Sequence, residues 1–370
     1  MNNLNCKLKF IEQLKSLPVY QPGKPIDEVA RELGLDPHSI VKLASNENPL
    51  GPSPLAIAAV KKMLNQTHLY PDGNSFYLKQ KLSEKFQIPQ NQISLGNGSN
   101  ELLELAGHIL LDPQSEAVMS EYCFAVYPIV TSLFGAKLVV VKSKNYGHDL
   151  KAMASAVTKK TKIVFVANPN NPTGTMVSAD ELLKFIHSVP EDVLIAVDEA
   201  YIDFLDQPPD LLTLVRQKTK PNLVLFRTFS KIYGLAGFRV GYAFGHPEVI
   251  EAFEKAREPF NVNSLAQTAA IAALDDTKHV NKTKEINKSG LAYLMKEFDR
   301  LGLEYIPSNV NFILVKVGNG DLVFKELQKL GVIIRPMGGY KLPEWIRITV
   351  GLPQENQKCI NSLETVLSKL

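Results

Sequence analysis

Short apolar runs alternate with amphipathic stretches through the middle of the chain. Several of these runs are apolar at nearly every position, as expected of strands that are covered on both faces. The stretch "SADELLKFIHSV" (178–189) between two of them has the apolar spacing of a helix. The runs predicted to be strands are 92–96, 116–120, 136–141, 162–167, 193–197, 222–226 and 240–244. This alternation predicts an α/β fold with a mostly parallel sheet of about seven strands flanked by helices.

The pattern changes after residue 262, where a long helical region precedes strand-like runs at 310–317 and 345–350. A strand, a helix and a further strand in this order predict a smaller α+β domain. The beginning of the chain includes a proline-punctuated segment, "SLPVYQPGKP". We therefore expect three parts: an N-terminal arm with part of the small domain at 1–45, a large ligand-binding domain at 46–262 and a small C-terminal domain at 263–370.

Composition excludes several classes of protein. The 370 residues include 41 Lys and Arg against 38 Asp and Glu, a balance that argues against nucleic acid as a partner. No run of about 18 apolar residues predicts a membrane span, and the first 20 residues lack the apolar core of a signal peptide. The histidines show no metal-ligand spacing, so we expect no metal. Three widely spaced cysteines, Cys6, Cys123 and Cys359, form no disulfide framework and favour a cytoplasmic location.

Polar residues gather where the predicted strands end, which is where open α/β sheets bind ligands. After the first strand, Gly96, Gly98 and Ser99 begin a helix, and the free N–H groups of such a turn accept a phosphate well. A short glycine turn before a helix more often only connects two elements, so this signal alone is weak.

Four more strand ends carry candidate groups. They are an aromatic residue (Phe124), an asparagine in "NPNNPTG" (Asn171), a carboxylate with a tyrosine (Asp198 and Tyr201), and a cluster of Ser230, Lys231 and Arg239. Each of these residues could instead have a purely structural role, such as core packing, a turn or a salt bridge. A carboxylate directly after five apolar residues, however, requires a cationic or hydrogen-bonding partner.

One ligand would use all of these groups, namely pyridoxal 5′-phosphate. Its aldehyde requires a lysine, and its pyridinium N–H requires a carboxylate that keeps the ring protonated. Its O3′ oxygen requires neutral donors such as asparagine and tyrosine. Its phosphate requires N–H groups, a hydroxyl and an arginine, and its ring requires an aromatic side chain on one face.

The motifs "NPNNPTG", "DEAY" and "TFSKIYGLAGFRVGY", in this order, resemble those of fold type I pyridoxal-phosphate-dependent aminotransferases. The segments "YQPGKP" and "GVIIRPMGGYKLPEWIRITVG" (331–351) resemble the histidinol-phosphate aminotransferase family, in the class II branch. The resemblance extends from about residue 20 to residue 351.

The resemblance implies roles for individual residues. Lys231 would form a Schiff base with the cofactor, Asp198 would pair with the ring nitrogen, and Asn171 and Tyr201 would bind O3′. The catalytic residues would be Lys231, Asp198 and Tyr201. Phe124 would stack on the ring. The phosphate would be held by Ser230, Arg239 and the backbone of Ser99 and Asn100.

On the substrate side, the resemblance implies that Arg335 and Arg347 receive anionic groups and that Tyr20 and Asn311 line the site. Arg347 lies in the alternating run "WIRITV", and its planar fork could bind a carboxylate or a phosphate. Tyr70, in "LYPDG", would reach the cofactor phosphate of a second subunit, which makes a homodimer the expected assembly.

The implied reaction transfers an amino group between glutamate and imidazole-acetol phosphate, giving 2-oxoglutarate and L-histidinol phosphate in histidine biosynthesis. Ile232, Glu121 and Cys123 depart from the family pattern, but none replaces a catalytic group. An aromatic amino acid aminotransferase and a pyridoxal-phosphate-dependent decarboxylase of a phosphorylated amino acid are alternatives with the same motifs. A binding protein that has lost catalysis is a third, and the joint presence of Lys231, Asp198 and Asn171 argues against it.

Overall fold

The computed structural model of the chain describes residues 8–15, 17, 19 and 23–370. The strands, numbered along the chain, are β1 (Val41–Lys42), β2 (Ile93–Gly96), β3 (Glu116–Ser120), β4 (Lys137–Val141), β5 (Thr161–Ala167), β6 (Leu194–Asp198), β7 (Leu223–Thr228), β8 (Gly241–Phe244), β9 (Tyr305–Ile306), β10 (Phe312–Lys316), β11 (Val332–Ile333), β12 (Arg335–Pro336) and β13 (Trp345–Thr349). The helices are α1 (Ile26–Leu33), α2 (Pro54–Met63), α3 (Phe76–Phe86), α4 (Ser99–Leu110), α5 (Val126–Leu133), α6 (Leu150–Ser155), α7 (Ala179–Ser188), α8 (Leu212–Gln217), α9 (Pro247–Ala256), α10 (Ser264–Asp275), α11 (Thr277–Arg300), α12 (Gly320–Lys329) and α13 (Pro353–Leu367).

A seven-stranded sheet in the order β2-β8-β7-β6-β5-β3-β4 forms the centre of the large part of the molecule. The pairs among β7, β6, β5, β3 and β4 are all parallel, while β8 runs antiparallel to both of its neighbours. Each predicted strand forms within one or two residues of its expected bounds. The prediction of a mostly parallel α/β sheet is therefore confirmed.

Side chains of the central strands alternate between two hydrophobic cores, one on each face of the sheet. In β5, Val164 and Val166 enter one core, whereas Ile163 and Phe165 enter the other. Because successive side chains of a strand point to opposite faces, a continuous apolar run is covered by helices on both sides. The carboxyl ends of β5, β6 and β7 then lie side by side at one edge, where the polar residues that follow these strands meet.

The C-terminal part has its own antiparallel sheet, in the order β12-β13-β10-β9, and its own core with α11, α12 and α13. The short strand β1 pairs in parallel with β11, so the chain before the large sheet joins this smaller unit. Helix α10 packs on α2, and its alanines lie in the core of the large sheet. Helix α10 therefore packs with the large sheet, although it follows the expected border at residue 263.

Among the described residues, no helix combines the length and the apolar character needed to cross a membrane.

The loop that carries Lys231 interlocks with the loop before α2. Gly234 has a φ of +69°, and a Cβ atom there would lie 2.1 Å from the carbonyl oxygen of Gly51. Glycine adopts this backbone conformation at the lowest cost, and only glycine leaves room for the neighbouring chain. The contact fixes the lysine loop against residues that approach the same cavity.

We expect Gly234→Ala to lower the free energy of unfolding by about 2–5 kcal/mol. This combines roughly 1–2 kcal/mol for a left-handed alanine with roughly 1–3 kcal/mol for the clash. Gly237→Ala is the matched control, because a Cβ atom at Gly237 meets nothing within 4 Å. Urea denaturation of the two variants measures the difference, and equal stabilities would contradict this account of the loop.

Candidate active site

Lys231 follows the carboxyl end of β7 and lies in a half-buried position above it. Its Nζ donates to the carbonyl oxygens of Ser45 and Asn46, both at 3.4 Å. Burial, together with the positive charges of Arg347 and Arg239, lowers the pKa of the amine to about 8, although the charges of Glu47 and Asp198 oppose the shift. The neutral, nucleophilic form of the amine is therefore far more populated near physiological pH than in an ordinary lysine.

Asp198 is the last residue of β6 and is buried. Its Oδ2 accepts a hydrogen bond from Oη of Tyr127 at 2.8 Å, and its Oδ1 accepts one from the backbone N of Ala200 at 3.1 Å. Burial raises the pKa of this carboxyl group, and the two hydrogen bonds oppose that rise. A cation in the adjoining cavity would stabilise the ionised form.

Tyr127 follows the same strand end as Phe124, and its sequence position is compatible with either core packing or stacking on a ligand. Its hydroxyl is directed at Asp198 from one side of α5, just after Phe124, which precedes the helix. The sequence pattern alone does not show that this side faces the end of β6.

An anion recess forms at the beginning of α4. Gly98 precedes the helix with a φ of +80° and provides no side-chain cap, so the first N–H groups of the helix, at Ser99 and Asn100, remain available to a ligand. The guanidinium group of Arg239 lies against Gly98, because a Cβ atom there would be 2.4 Å from Nη2. Nη1 of Arg239 also lies 3.5 Å from Oγ of Ser230. Helix N–H groups, an arginine and a hydroxyl together suit a phosphate.

Two arginines from the smaller sheet reach the same cavity. Arg335 on β12 and Arg347 on β13 are directly opposite each other across the antiparallel pair. Arg347 is buried, and its Nη1 donates to Oδ1 of Asn171 at 2.7 Å. Its guanidinium carbon lies 4.9 Å from the ring centre of Phe312. Arg347 is therefore a buried residue whose guanidinium group is fixed by these contacts.

All of these groups face one cavity of about 260 Å³. The structure brings together eleven residues that the sequence predicted for the site: Ser99, Asn100, Phe124, Asn171, Asp198, Tyr201, Ser230, Lys231, Arg239, Arg335 and Arg347. Asn46, Glu47, Thr228 and Tyr340 also line the cavity but were not predicted. The only sequence signals for Asn46 and Tyr340 were their turn-rich contexts, "ASNENPLG" and "PMGGY".

Two predicted residues lie outside the lining of the cavity, and a third is not among the described residues. Asn311 is buried beside the cavity but is not part of its lining, and its Nδ2 donates to the carbonyl oxygens of Asn46 at 3.1 Å and Glu47 at 3.4 Å. Tyr70 is 83% exposed and stacks on Phe260 with 4.8 Å between ring centres. Tyr20 lies outside the described residues.

The residues that depart from the family pattern do not line the cavity. Ile232 is buried in the core of the large sheet, and Glu121 forms a salt bridge with Lys142 at 2.6 Å. Cys123 is buried, and burial raises the pKa of its thiol to about 12. None of the three therefore supplies or removes a reactive group.

A buried ion pair lies behind the same strand ends. Glu199 follows Asp198 in the chain, and Arg227 precedes Thr228. Nε of Arg227 donates to Oε2 of Glu199 at 2.7 Å, and neither residue lines the cavity. The pair joins the ends of β6 and β7 on the face away from the cavity. It thereby fixes the end of β6, where Asp198 lies, relative to the end of β7, from which the chain continues to Lys231.

The donor set fits pyridoxal 5′-phosphate. The cavity offers an amine for the aldehyde, a buried carboxylate for a protonated ring nitrogen and a recess of N–H, hydroxyl and guanidinium groups for the phosphate. The described residues contain no cluster of three or more histidine, cysteine, aspartate or glutamate side chains that could bind a metal ion.

Comparisons with known proteins agree with this geometry. Residues 38–363 match the family aminotransferase class I and II. The chain is 50% identical to histidinol-phosphate aminotransferase 1 of Nitrosococcus oceani over 96% of both chains. It is also 50% identical to the histidinol-phosphate aminotransferase of Akkermansia muciniphila, over 96% of this chain and 98% of that one. The crystal structure of the Sinorhizobium meliloti histidinol-phosphate aminotransferase in complex with pyridoxal-5′-phosphate superposes with a TM-score of 0.88, at 27% identity and 98% coverage of both chains.

The sheet, with this site at its carboxyl edge, has the architecture of a fold type I pyridoxal-phosphate-dependent enzyme. Within that class, the chain belongs to the aminotransferase class I and II family.

The environment of Lys231 predicts an unusually acidic amine. In the apoprotein, we expect half-maximal labelling of Lys231 by a small amine reagent at about pH 8, well below the ordinary lysine pKa of about 10.4. Labelling as a function of pH, read by peptide mass spectrometry, measures this value. Arg347→Met should raise the midpoint, because a positive charge that disfavours protonation is removed. Glu47→Gln should lower it, because Glu47 favours the protonated form. Shifts of the opposite signs would contradict this electrostatic description.

Proposed function

We propose that this enzyme transfers an amino group from L-glutamate to imidazole-acetol phosphate, giving 2-oxoglutarate and L-histidinol phosphate, with pyridoxal 5′-phosphate as cofactor. The observation that carries the proposal is the convergence of Lys231, Asp198, the anion recess and two arginines on one cavity. The names of relatives that are 50% identical to the chain support the choice of substrate.

The cofactor would be held at both ends and on its face. Lys231 would bind it covalently through Nζ, and Asp198 would accept a hydrogen bond from its ring nitrogen. Asn171 and Tyr201 would contact its O3′, and Phe124 would cover its ring. The phosphate would lie in the recess formed by Ser99, Asn100, Ser230 and Arg239. When bound, the cofactor supplies an electron-withdrawing ring that stabilises negative charge at a neighbouring carbon.

Lys231 is also the base that the geometry favours. With its Nζ free inside the cavity, Lys231 would take the proton from the carbon of a bound substrate that bears the amino group. A pKa of about 8 lets the amine accept a proton and release it again near neutral pH. A positioned base of this kind contributes roughly 10²–10⁴-fold to the rate.

Arg335 and Arg347 would bind the anionic ends of both substrates. A guanidinium group presents a planar fork that fits a carboxylate or a phosphate, so one pair of arginines can serve glutamate and histidinol phosphate in turn. The hydrogen bond from Arg347 to Asn171 at 2.7 Å couples the substrate-binding side of the cavity to the cofactor-binding side.

The assembly, the domain division and the location are further parts of the proposal. We infer a large domain that continues through α10 and a small domain that contains β1 and α11–α13.

We infer a homodimer from a group of exposed apolar and aromatic side chains. The ring of Tyr70 stacks on that of Phe260, and Leu69 and Tyr77 are near Tyr70 in the chain. The described cysteines, Cys123 and Cys359, are buried free thiols, in keeping with a cytoplasmic location.

The reaction is tested with purified protein and pyridoxal 5′-phosphate. We expect 2-oxoglutarate-dependent consumption of histidinol phosphate, with a much lower kcat/KM for phenylalanine and no release of carbon dioxide. A preference for phenylalanine would favour an aromatic aminotransferase, and carbon dioxide release would favour a decarboxylase.

Two variants test the residues that would hold the cofactor. Lys231→Ala should show no cofactor adduct after borohydride reduction. Asp198→Asn should retain cofactor but lose about 10²–10³-fold in kcat, the usual effect of removing one electrostatic contact.

The role of Tyr70 in a second subunit's site is tested by complementation. Lys231→Ala and Tyr70→Ala proteins should each have low activity, and co-expressed mixtures should regain about a quarter of the wild-type activity. Random pairing makes half of the dimers mixed, and each mixed dimer has one complete site. Sedimentation of the mixture confirms that dimers form. Activity equal to the mean of the two separate variants would show that Tyr70 acts within its own chain or not at all.

A further inference from the structure

Asn46 lies between the cavity and the small sheet, and the sequence marks it only by its turn-rich context. It is 1% exposed, lines the cavity and has a φ of +55°. This left-handed conformation is one that asparagine, aspartate and glycine tolerate and most other residues do not. The position therefore combines a restricted backbone with a side chain whose polar atoms must be satisfied in the interior.

The backbone of Asn46 contacts the lysine. Its carbonyl oxygen accepts hydrogen bonds from Nζ of Lys231 at 3.4 Å and from Nδ2 of Asn311 at 3.1 Å. Its N–H donates to Oγ1 of Thr349 at 2.9 Å. These bonds anchor the residue to the large sheet's lysine loop on one side and to β13 on the other.

The side chain of Asn46 contacts Tyr201. Oγ1 of Thr349 donates to Oδ1 of Asn46 at 3.3 Å, which leaves Nδ2 facing Oη of Tyr201 at 2.9 Å. An amide nitrogen donates and does not accept, so the tyrosine oxygen must be the acceptor in this bond. The proton of the Tyr201 hydroxyl consequently points away from Asn46.

We propose that Asn46 is a positioning residue that sets the direction of the Tyr201 hydroxyl, so that it donates its proton into the cavity, toward O3′ of the cofactor. This inference rests on the proposed function, because it requires a cofactor oxygen in the cavity. Without Asn46, the hydroxyl of Tyr201 could rotate or donate elsewhere. The hydrogen bond from Asn46 also opposes the rise in the pKa of Tyr201 that burial causes, as expected when a donor is directed at the phenol oxygen.

Asn46→Asp tests the direction of this bond with almost no change of shape. A carboxylate can only accept, so the Tyr201 hydroxyl should turn toward residue 46 and cease to donate into the cavity. Aspartate also tolerates the left-handed backbone. Asn46→Gly is the matched control, because it keeps the backbone conformation and the carbonyl that faces Lys231 while it removes the amide.

The readout is cofactor affinity and not activity. Dissociation constants of the full-length apoprotein for pyridoxal 5′-phosphate and for its 3-deoxy analogue, which lacks O3′, are measured at pH 8 through the fluorescence of the single tryptophan, Trp345. A charge introduced beside Lys231 affects both ligands alike, so the ratio of the two constants isolates the contact with O3′.

We expect the wild-type protein to prefer the normal cofactor over the 3-deoxy analogue. Asn46→Asp should reduce this preference by about 10- to 100-fold, the value of a hydrogen bond to a charged group. Asn46→Gly should reduce it by a smaller factor, because the hydroxyl is then free to turn. In a Tyr201→Phe background, Asn46→Asp should leave the preference unchanged, since its effect passes through the hydroxyl.

An unchanged preference in Asn46→Asp would overturn the inference, because it would mean that the Tyr201 hydroxyl already donates to Asn46. An equal loss of affinity for both ligands would also overturn it and would assign Asn46 a purely structural role. These outcomes differ from failure of the proposed function, in which the wild-type protein itself would show no covalent cofactor binding and no transamination.

Discussion

The amine of Lys231 is held where burial and the charges of Arg239 and Arg347 all oppose its protonation. The opposing contributions come from two long hydrogen bonds to backbone carbonyls at 3.4 Å, from the ring of Tyr201, whose centre lies 5.7 Å from Nζ, and from the negative charges of Glu47 and Asp198. Because this environment disfavours the charged amine, the surrounding loops must hold the lysine side chain in place. The surrounding structure supplies them: the lysine loop is locked against Gly51 by Gly234, which has no side chain to prevent the approach.

The site lies between two parts of the molecule, the large sheet and the smaller antiparallel sheet, each of which has its own core. Both parts contribute residues to it. The large sheet contributes the lysine, the carboxylate and the anion recess, all at the carboxyl edge where parallel strands end together. The smaller sheet contributes Arg335 and Arg347. The segment around Asn46 joins them, since it hydrogen bonds to Lys231 and Tyr201 on one side and to Thr349 on the other. A shift of one unit against the other would therefore alter both substrate binding and the environment of the lysine.

Much of the site could be predicted because its residues follow strands. Asp198 comes directly after an apolar run, and a buried carboxylate there requires a partner in the cavity. The segment from Ser230 to Arg239 likewise follows a strand in the same sheet. Asn46, Tyr127 and Tyr340 were missed because their side chains reach the site from a loop, from a helix face and from the smaller unit. Their roles depend on which surfaces pack together, and hydrophobic periodicity does not contain that information.

The order of apolar runs and turns along the chain determined by itself the α/β class, the strands of the large sheet and the edge at which a ligand binds, because side-chain period and strand direction are local properties. Motif resemblance added the cofactor and the individual roles. Tertiary structure alone decided that the antiparallel strand β8 lies between β2 and β7, that α10 packs with the large core, and that Arg347 points into the cavity. These features depend on contacts between residues far apart in sequence, whose free energies are set by packing and burial in the folded molecule.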